Sequence, residues 1–447
     1  MIMMTRRFSL AKWTMNPGKP QAWCGWLLLA STLGCEPSKP TLSSYEPNYL
    51  FAYRWEVAQD SSTDQFLDDT QRLLNDWFGT LDEPKLPPLL SDDDSYAELI
   101  SLKTMAPAVG PDPNPESKEP GASGLYRRLC VSCHGETGQG RGTVAASQNP
   151  YPRDFRRGIF KYKVTPRGSK PLKDDIARTL REGLAGTQMP LFDKLAPSQI
   201  DALVEYVVYL SIRGEFERKL VQMGAQELDP EAAYLSDYAK RERIYDVSLR
   251  DIADEKGAKA FKEQLELATD LLTEVADSWI DAEDRVRQPS VPAGLPVAGL
   301  GDASPEPKLL AESIAKGREL FRNEKGGGCA KCHGESAKGD GTQLPDYDDW
   351  TKEWTKNIEV SYTDLEQLAP FMARGGLKPQ PLAPRNLVEG KFRGGRDPKA
   401  VHHRIMQGID GSPMPAAALA AAPGEPGLQP EDVWHLVNYV LSLKQEM

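Results

Sequence analysis

One short motif occurs twice in this chain and constrains it more than any other feature. The copies are Cys130-Val131-Ser132-Cys133-His134 and Cys329-Ala330-Lys331-Cys332-His333. The spacing C-x-x-C-H is the attachment signature of c-type haem. On one helical turn the two thiols are placed to form thioethers with the haem vinyl groups, and the adjacent imidazole ligates the iron. We therefore predict two covalent c-type haems, with the four cysteines as attachment sites and His134 and His333 as axial ligands.

Two other cysteine chemistries compete with this interpretation. A pair of C-x-x-C motifs is also found in zinc knuckles and in thioredoxin-like dithiols. Neither alternative explains a His directly after the second Cys in both copies, in a chain that has only five His in all. The shared context therefore favours haem over zinc or redox-active thiols.

The N-terminus has the layout of an export signal. Residues 1–34 carry four basic and no acidic residues, and residues 22–33 form a short apolar run. This pattern is typical of a secretory signal peptide, because the run is too short for a stable membrane span. It ends in Thr32-Leu33-Gly34-Cys35, which resembles a bacterial lipobox, so we predict lipid attachment at Cys35. The alternative is a simple cleaved signal in which Cys35 has no role.

The charge is unevenly distributed along the chain. Removal of residues 1–34 takes the net charge from −11 to −15, yet residues 120–215 carry 15 basic against 9 acidic side chains. A basic module beside acidic flanks favours oriented docking of a partner protein over nucleic-acid binding, although ordinary solvated surface explains it equally well. We expect no nucleic-acid partner.

An internal repeat organises the chain. Residues 176–190 align without a gap with residues 401–415, and both segments end in Met-Pro. Each copy then closes on an apolar segment with the pattern L-V-x-Y-V. Self-similarity of this extent indicates a duplicated domain. Apolar residues at helical spacing predict that each copy is a small helical bundle around its haem.

The repeat also points to the second axial ligands. Met189 and Met414 occupy the same position, each in a Gly-x-x-Met-Pro turn. A Met thioether stabilises reduced haem iron and raises its potential, although Met is more often a gap filler in a core. We predict axial pairs of His134 with Met189 and of His333 with Met414. His402 and His403 are the rival ligands at the second haem, and we expect them instead at the surface or against a propionate.

Two further positions flank the repeated Pro. Arg153 and Arg385 are candidates for pairing with haem propionates. A carbonyl near Pro152 or Pro384 is expected to accept the N–H of the axial imidazole, which sets its tautomer.

The expected fold class is all-α, with two helical haem domains joined by a helical connector and preceded by a helical extension. The second copy has a longer loop than the first, with an insertion around Pro345 to Pro379 that contains Trp350 and Trp354. We expect a tolerated surface insertion, with a docking lip or a haem-edge shield as alternatives. The predicted segments are the signal peptide (1–34), a lipid-anchored extension (35–109), haem domain 1 (110–215), an acidic connector (216–304) and haem domain 2 (305–447).

The two copies resemble class I cytochrome c domains fused in tandem, as in bacterial dihaem cytochromes c. The resemblance rests on the C-x-x-C-H and Met-Pro elements and departs from the family where Pro384-Arg385-Asn386-Leu387 replaces its common Gly-Pro-Asn-Leu. It implies single-electron transfer between membrane-bound or periplasmic redox proteins. The predicted lipid at Cys35 would anchor the protein so that it faces the periplasm, and a soluble periplasmic protein is the alternative. The alternatives are a dihaem cytochrome c peroxidase and a cytochrome subunit of a larger dehydrogenase or reductase.

Overall fold

The computed structural model describes residues 44–110, 124–300, 304–324, 327–342, 346–347, 352–355, 358–422 and 425–443. The predicted signal peptide, Cys35, residues 111–123 of the first linker and Trp350 lie outside these ranges. The chain divides into residues 1–41 and 42–447, and the second unit contains all the described residues. Among the described helices, none has the length and apolar character needed to cross a membrane.

The described chain is all-α, as predicted. The helices of the extension and of domain 1 are α1 (Tyr49–Gln59), α2 (Asp64–Phe78), α3 (Pro88–Asp92), α4 (Leu102–Met105), α5 (Leu125–Leu129), α6 (Val131–His134), α7 (Lys173–Glu182) and α8 (Pro197–Glu227). The connector and domain 2 contain α9 (Glu255–Ile280), α10 (Pro307–Arg322), α11 (Ala330–His333), α12 (Leu365–Ala373), α13 (Pro398–Gln407) and α14 (Pro430–Ser442). Two-residue strands β1 (Asp346–Tyr347) and β2 (Pro381–Leu382) pair antiparallel.

Helix α8 connects domain 1 to the rest of the molecule. It has 31 residues and continues past residue 215, the predicted end of domain 1. Apolar residues at helical spacing recur along its whole length, so its second half also has a face to bury. The rings of Trp77 on α2 and Phe216 on α8 stack 5.7 Å apart. The extension therefore packs on the second half of the helix that closes domain 1.

The connector contributes one long amphipathic helix, α9. Asp254 caps it by accepting a hydrogen bond from the backbone N–H of Lys256. Its buried face includes Leu272 and Val275, and Trp279 donates from its indole N–H to Glu215 at 2.9 Å. The connector is thus packed against the end of domain 1 rather than extended between the two domains.

Domain 2 is built on the crossing of α10 and α14. Gly317 lies directly against the carbonyl of His435, where a Cβ atom would overlap it. The His435 ring is hydrogen-bonded through Nδ1 to Ser313 Oγ at 2.7 Å, and Phe321 meets Tyr439 edge to face at 5.2 Å. Domain 1 has an edge-to-face aromatic pair at the equivalent positions of the repeat, formed by Tyr126 and Tyr206 with ring centroids 5.0 Å apart.

The insertion of domain 2 packs against other parts of the protein. Trp354 and Phe371 are buried in a cluster with Leu50 and Tyr53 of the extension, and the rings of Tyr53 and Phe371 lie 4.9 Å apart. The expectation of a merely tolerated surface insertion is therefore wrong for its described residues. Their apolar side chains are covered by α1, which the sequence did not indicate as a neighbour.

Candidate haem sites

In domain 1 one cleft contains both halves of the predicted site. Cys130, Cys133, His134 and Met189 all line it, although Met189 is 55 positions beyond His134. Apolar side chains such as Val207 form much of the remaining wall. We call this cavity the first cleft. An apolar cleft that brings two thiols, an imidazole and a thioether together matches what a covalent His/Met haem requires.

The C-x-x-C-H motif forms one helical turn in each domain. The backbone N–H of His134 donates to Cys130 O at 2.8 Å, and that of His333 donates to Cys329 O at 2.8 Å. The loop that follows then folds back on the motif, because Gly140 N–H and Gly339 N–H donate to the two His carbonyls, each at 2.8 Å. The two copies of the motif therefore share one local geometry.

Each motif His is oriented by a backbone carbonyl. His134 donates from Nδ1 to Arg153 O at 3.0 Å, and His333 donates from Nδ1 to Arg385 O at 3.0 Å. The acceptor was expected near the repeated Pro, and it is the carbonyl of the residue that follows this Pro. A proton on Nδ1 leaves Nε2 with its lone pair for a metal.

Burial keeps the donor atoms in their neutral forms. It lowers the pKa of His134 to about 4, so the ring is uncharged at neutral pH. Burial likewise raises the pKa of the Cys130 thiol to about 12 and that of Cys329 to about 11. Each thiol is also free of disulfide bonds. The cysteines are therefore available for thioether formation.

The two Met residues lie on equivalent loops, which we call the first Met loop (183–192) and the second Met loop (408–417). Leu184 N–H donates to Met189 O and Ile409 N–H donates to Met414 O, both at 3.2 Å. Both Met side chains are half-buried. Met189 lines the first cleft, whereas the hydrogen bonds described for Met414 are accepted by its carbonyl oxygen. Iron ligation by either Met stays a prediction.

The structure corrects the expectation that His402 and His403 lie at the surface, whereas contact with a propionate stays a prediction. Both are buried, with 8% and 7% of their surface exposed. The His402 ring packs against Trp434 at 4.4 Å, and His403 Nδ1 is hydrogen-bonded to Gln407 at 3.2 Å. They were expected at the surface or against a propionate rather than on the iron, because the aligned residues of domain 1 are Ala177 and Arg178. Neither aligned residue of domain 1 lines the first cleft.

Two residues of the first cleft escaped the sequence analysis. Phe155 stacks on the His134 ring, with centroids 4.5 Å apart and planes 16° from parallel. Its place in the repeated Pro-Arg segment was the signal that could have identified it. Arg393 also lines the first cleft, although it belongs to domain 2. No local pattern marks Arg393, because only the packing of the two domains brings it there.

Two arginine side chains with buried Nε atoms provide a test of whether a haem fits. The Nε atoms of Arg385 and Arg393 are buried without a hydrogen-bond partner among the protein atoms. Burial, and then repulsion by Arg393, lowers the pKa of Arg385. Carboxylates would satisfy both groups, and haem carries two propionates. The donor set and these cations fit c-type haem, which the motif cysteines would hold covalently.

The match to a family model agrees with this chemistry. The family model described as Cytochrome c matches residues 121–211 and 314–444. A solved chain from the reducing HAO-like protein complex of Kuenenia stuttgartiensis is 24% identical, covers 72% of this chain and 94% of its own, and has a TM-score of 0.40. A similarity of that size does not bear on function. No curated protein matches the chain.

Both matched segments contain one C-x-x-C-H motif and one Met loop, and each has its His fixed by the carbonyl of the repeated Arg. The chain is therefore a c-type cytochrome with two cytochrome c domains in tandem.

Proposed function

We propose that this protein carries single electrons between redox partners of the bacterial cell envelope, with one haem in each cytochrome c domain. The observation that carries the proposal is the first cleft, where the motif cysteines, a neutral His134 and Met189 meet within apolar walls. When bound there, c-type haem supplies reversible one-electron chemistry at a potential that a Met ligand raises. The repeated backbone geometry in domain 2 supports a second haem held by Cys329, Cys332 and His333.

The first cleft favours a carrier over a peroxidase. A peroxidase needs a distal side that opens and an acid-base group beside it. The carboxylate that lines the first cleft, Asp175, accepts backbone N–H bonds from Val164 and Leu172, each at 3.1 Å, and pairs with Arg178 at 2.8 Å. These contacts engage Asp175 in holding the structure of domain 1. The proposed role for this side chain is therefore structural.

The ligand test distinguishes the two functions. The oxidised protein should show the weak near-infrared band of Fe–S(Met) ligation from both haems. Met189→Ala and Met414→Ala should each remove one share of that band, open one haem to carbon monoxide and lower its potential. Met406→Ala is the matched control, since Met406 is also half-buried and packs in the core of domain 2.

Three results would count against the carrier. In the first, Met406→Ala reduces the near-infrared band as strongly as Met414→Ala does. In the second, His402→Ala changes the spectrum of the second haem as strongly as Met414→Ala does. In the third, wild type turns over hydrogen peroxide at an enzyme-like rate. The last result would favour the peroxidase.

We also propose that Cys35 carries a lipid that anchors the protein to a membrane of the cell envelope, facing the periplasm. The support is the apolar run that ends at Gly34-Cys35. Wild type should fractionate with membranes, whereas Cys35→Ser behind an unrelated cleavable signal should be found in the soluble fraction. A wild-type product that is wholly soluble with a free N-terminus would exclude the lipid anchor.

A further inference from the structure

The two cytochrome c domains meet through their Met loops. Asp410 on the second Met loop accepts the backbone N–H of Gly168 at 3.0 Å and pairs with Lys163 at 2.5 Å, and both partners belong to domain 1. Arg167 of domain 1 also donates to Met414 O at 3.0 Å. Asp410 is only 9% exposed. Domain 1 thus holds the loop that carries the predicted iron ligand of domain 2.

The contact is reciprocal. Arg393 of domain 2 donates from Nη2 to Gly186 O on the first Met loop at 3.1 Å. Gly186 and Gly411 are equivalent in the repeat and have φ values of +70° and +60°. A Cβ atom at Gly186 would lie 3.2 Å from Arg385 of domain 2, and one at Gly411 would lie 3.4 Å from Arg153 of domain 1. The two domains therefore exchange equivalent contacts, as in a two-fold arrangement.

Arg393 contacts the first Met loop and also lines the haem cleft of domain 1. It lines the first cleft together with His134 and Met189, residues of the other domain. Its Nη2 is held by Gly186 O, while its Nε is buried without a protein partner. Arg385, a second cation from domain 2, lies near enough to repel it. Domain 2 consequently places positive charge at the haem cleft of domain 1.

We propose that domain 2 completes the first haem site, with Arg393 as its positioning residue. This inference rests on the proposed function. Arg393 holds the first Met loop through Gly186 and adds a fixed cation beside the cleft. Reduction makes a haem iron less positive, so a nearby cation favours the reduced form and raises the potential. A residue of domain 2 thereby raises the electron affinity of the haem in domain 1.

The test is a redox titration of the full-length holoprotein. Arg393→Gln should lower the reduction equilibrium constant of the first haem by roughly tenfold, because it removes one positive charge beside the first cleft. Arg393→Lys keeps the charge and should recover most of that loss. Arg396→Gln is the matched control, since Arg396 is three residues away, exposed, and donates to Leu441 within its own domain. Met189→Ala identifies which of the two redox transitions in the titration belongs to the first haem.

The haem content of each variant is measured first by mass. Two haems in Arg393→Gln, with a first-haem constant equal to that of Arg396→Gln, would overturn this inference and leave the proposed function standing. A wild-type protein with one haem or none would overturn the proposed function itself. A tenfold loss in Arg393→Gln that Arg393→Lys recovers would support the inference.

Discussion

At the scale of single residues, one carboxylate joins three parts of the chain. Glu353, in the insertion of domain 2, pairs with Arg157 of domain 1 at 2.8 Å and with Arg218 on α8. Burial by itself raises the pKa of Glu353, but attraction by Arg157 and Arg218 outweighs burial and leaves its pKa below the usual value. The ionised form is therefore the one that stabilises the folded state.

We expect Glu353→Gln to lower the free energy of unfolding by about 2 kcal/mol at pH 7, because it leaves two partly buried guanidinium groups without their anion. Since the pKa is depressed on folding, this stabilisation is present above the unfolded value of about 4.3 and is lost as the pH falls through the lower folded value. Urea unfolding of wild type and variant should thus differ most near neutral pH and converge in acid.

A surface pair provides the control for this measurement. Glu335 pairs with Arg322 at 3.1 Å, but 73% of the Glu335 side chain is exposed. Glu335→Gln should change the free energy of unfolding by less than about 1 kcal/mol. Equal losses in Glu353→Gln and Glu335→Gln would refute the special role of Glu353.

At the scale of elements, helix α8 is the part on which domain 1 and the extension are assembled. It packs against α2, α4 and α7 and against the short turn Phe155–Arg157, which follows the carbonyl that orients His134. Gly214 is the point of closest approach to that turn, because a Cβ atom there would overlap Cα and Cβ of Arg156. The helix therefore needs Gly at this position despite the low helix propensity of Gly.

Gly214→Ala tests this close approach. Helix propensity alone predicts a gain of about 1 kcal/mol for the substitution. We expect a net loss instead, since the overlap involves Cα and Cβ of Arg156, which are unable to move without shifting the turn beside His134. Thermal unfolding should show a lower Tm. Gln222→Ala, at an exposed position of the same helix, should leave Tm nearly unchanged, and a higher Tm for Gly214→Ala would contradict the packing argument.

At the scale of the whole molecule, residues 42–447 form one compact unit. One hydrophobic core joins the extension, domain 1 and the connector through residues such as Phe66, Leu203 and Leu272. Domain 2 is tied to this core by several contacts, among them the Met-loop contact at Asp410 and the ion pairs of Glu353. The expected behaviour is cooperative unfolding of both haem domains together.

Thermal unfolding should accordingly give one transition, with the same midpoint for Soret absorbance and far-UV circular dichroism. The double variant Asp410→Asn with Glu353→Gln weakens two of these contacts, so domain 2 should then unfold at a lower temperature than domain 1. Two well-separated transitions in wild type would show that the domains are energetically independent.

The sequence alone was sufficient for features that depend on local spacing or on the duplication. The C-x-x-C-H turns, the loops of Met189 and Met414 and the all-α fold class were predicted because helical periodicity and turn chemistry act within a few residues. The hydrogen bond to His134 was predicted to within one residue, since the repeated Pro marks the turn but not which carbonyl faces the ring.

Only the tertiary structure decided what lies beside those local features. The burial of His402 depends on Trp434, the role of the insertion depends on α1, and the place of Arg393 at the first cleft depends on a contact with Gly186. Gly186 and Arg393 are separated by 207 positions. A pattern in a single sequence does not reveal this contact, because the free energy that stabilises it comes from the packing of two folded domains against each other.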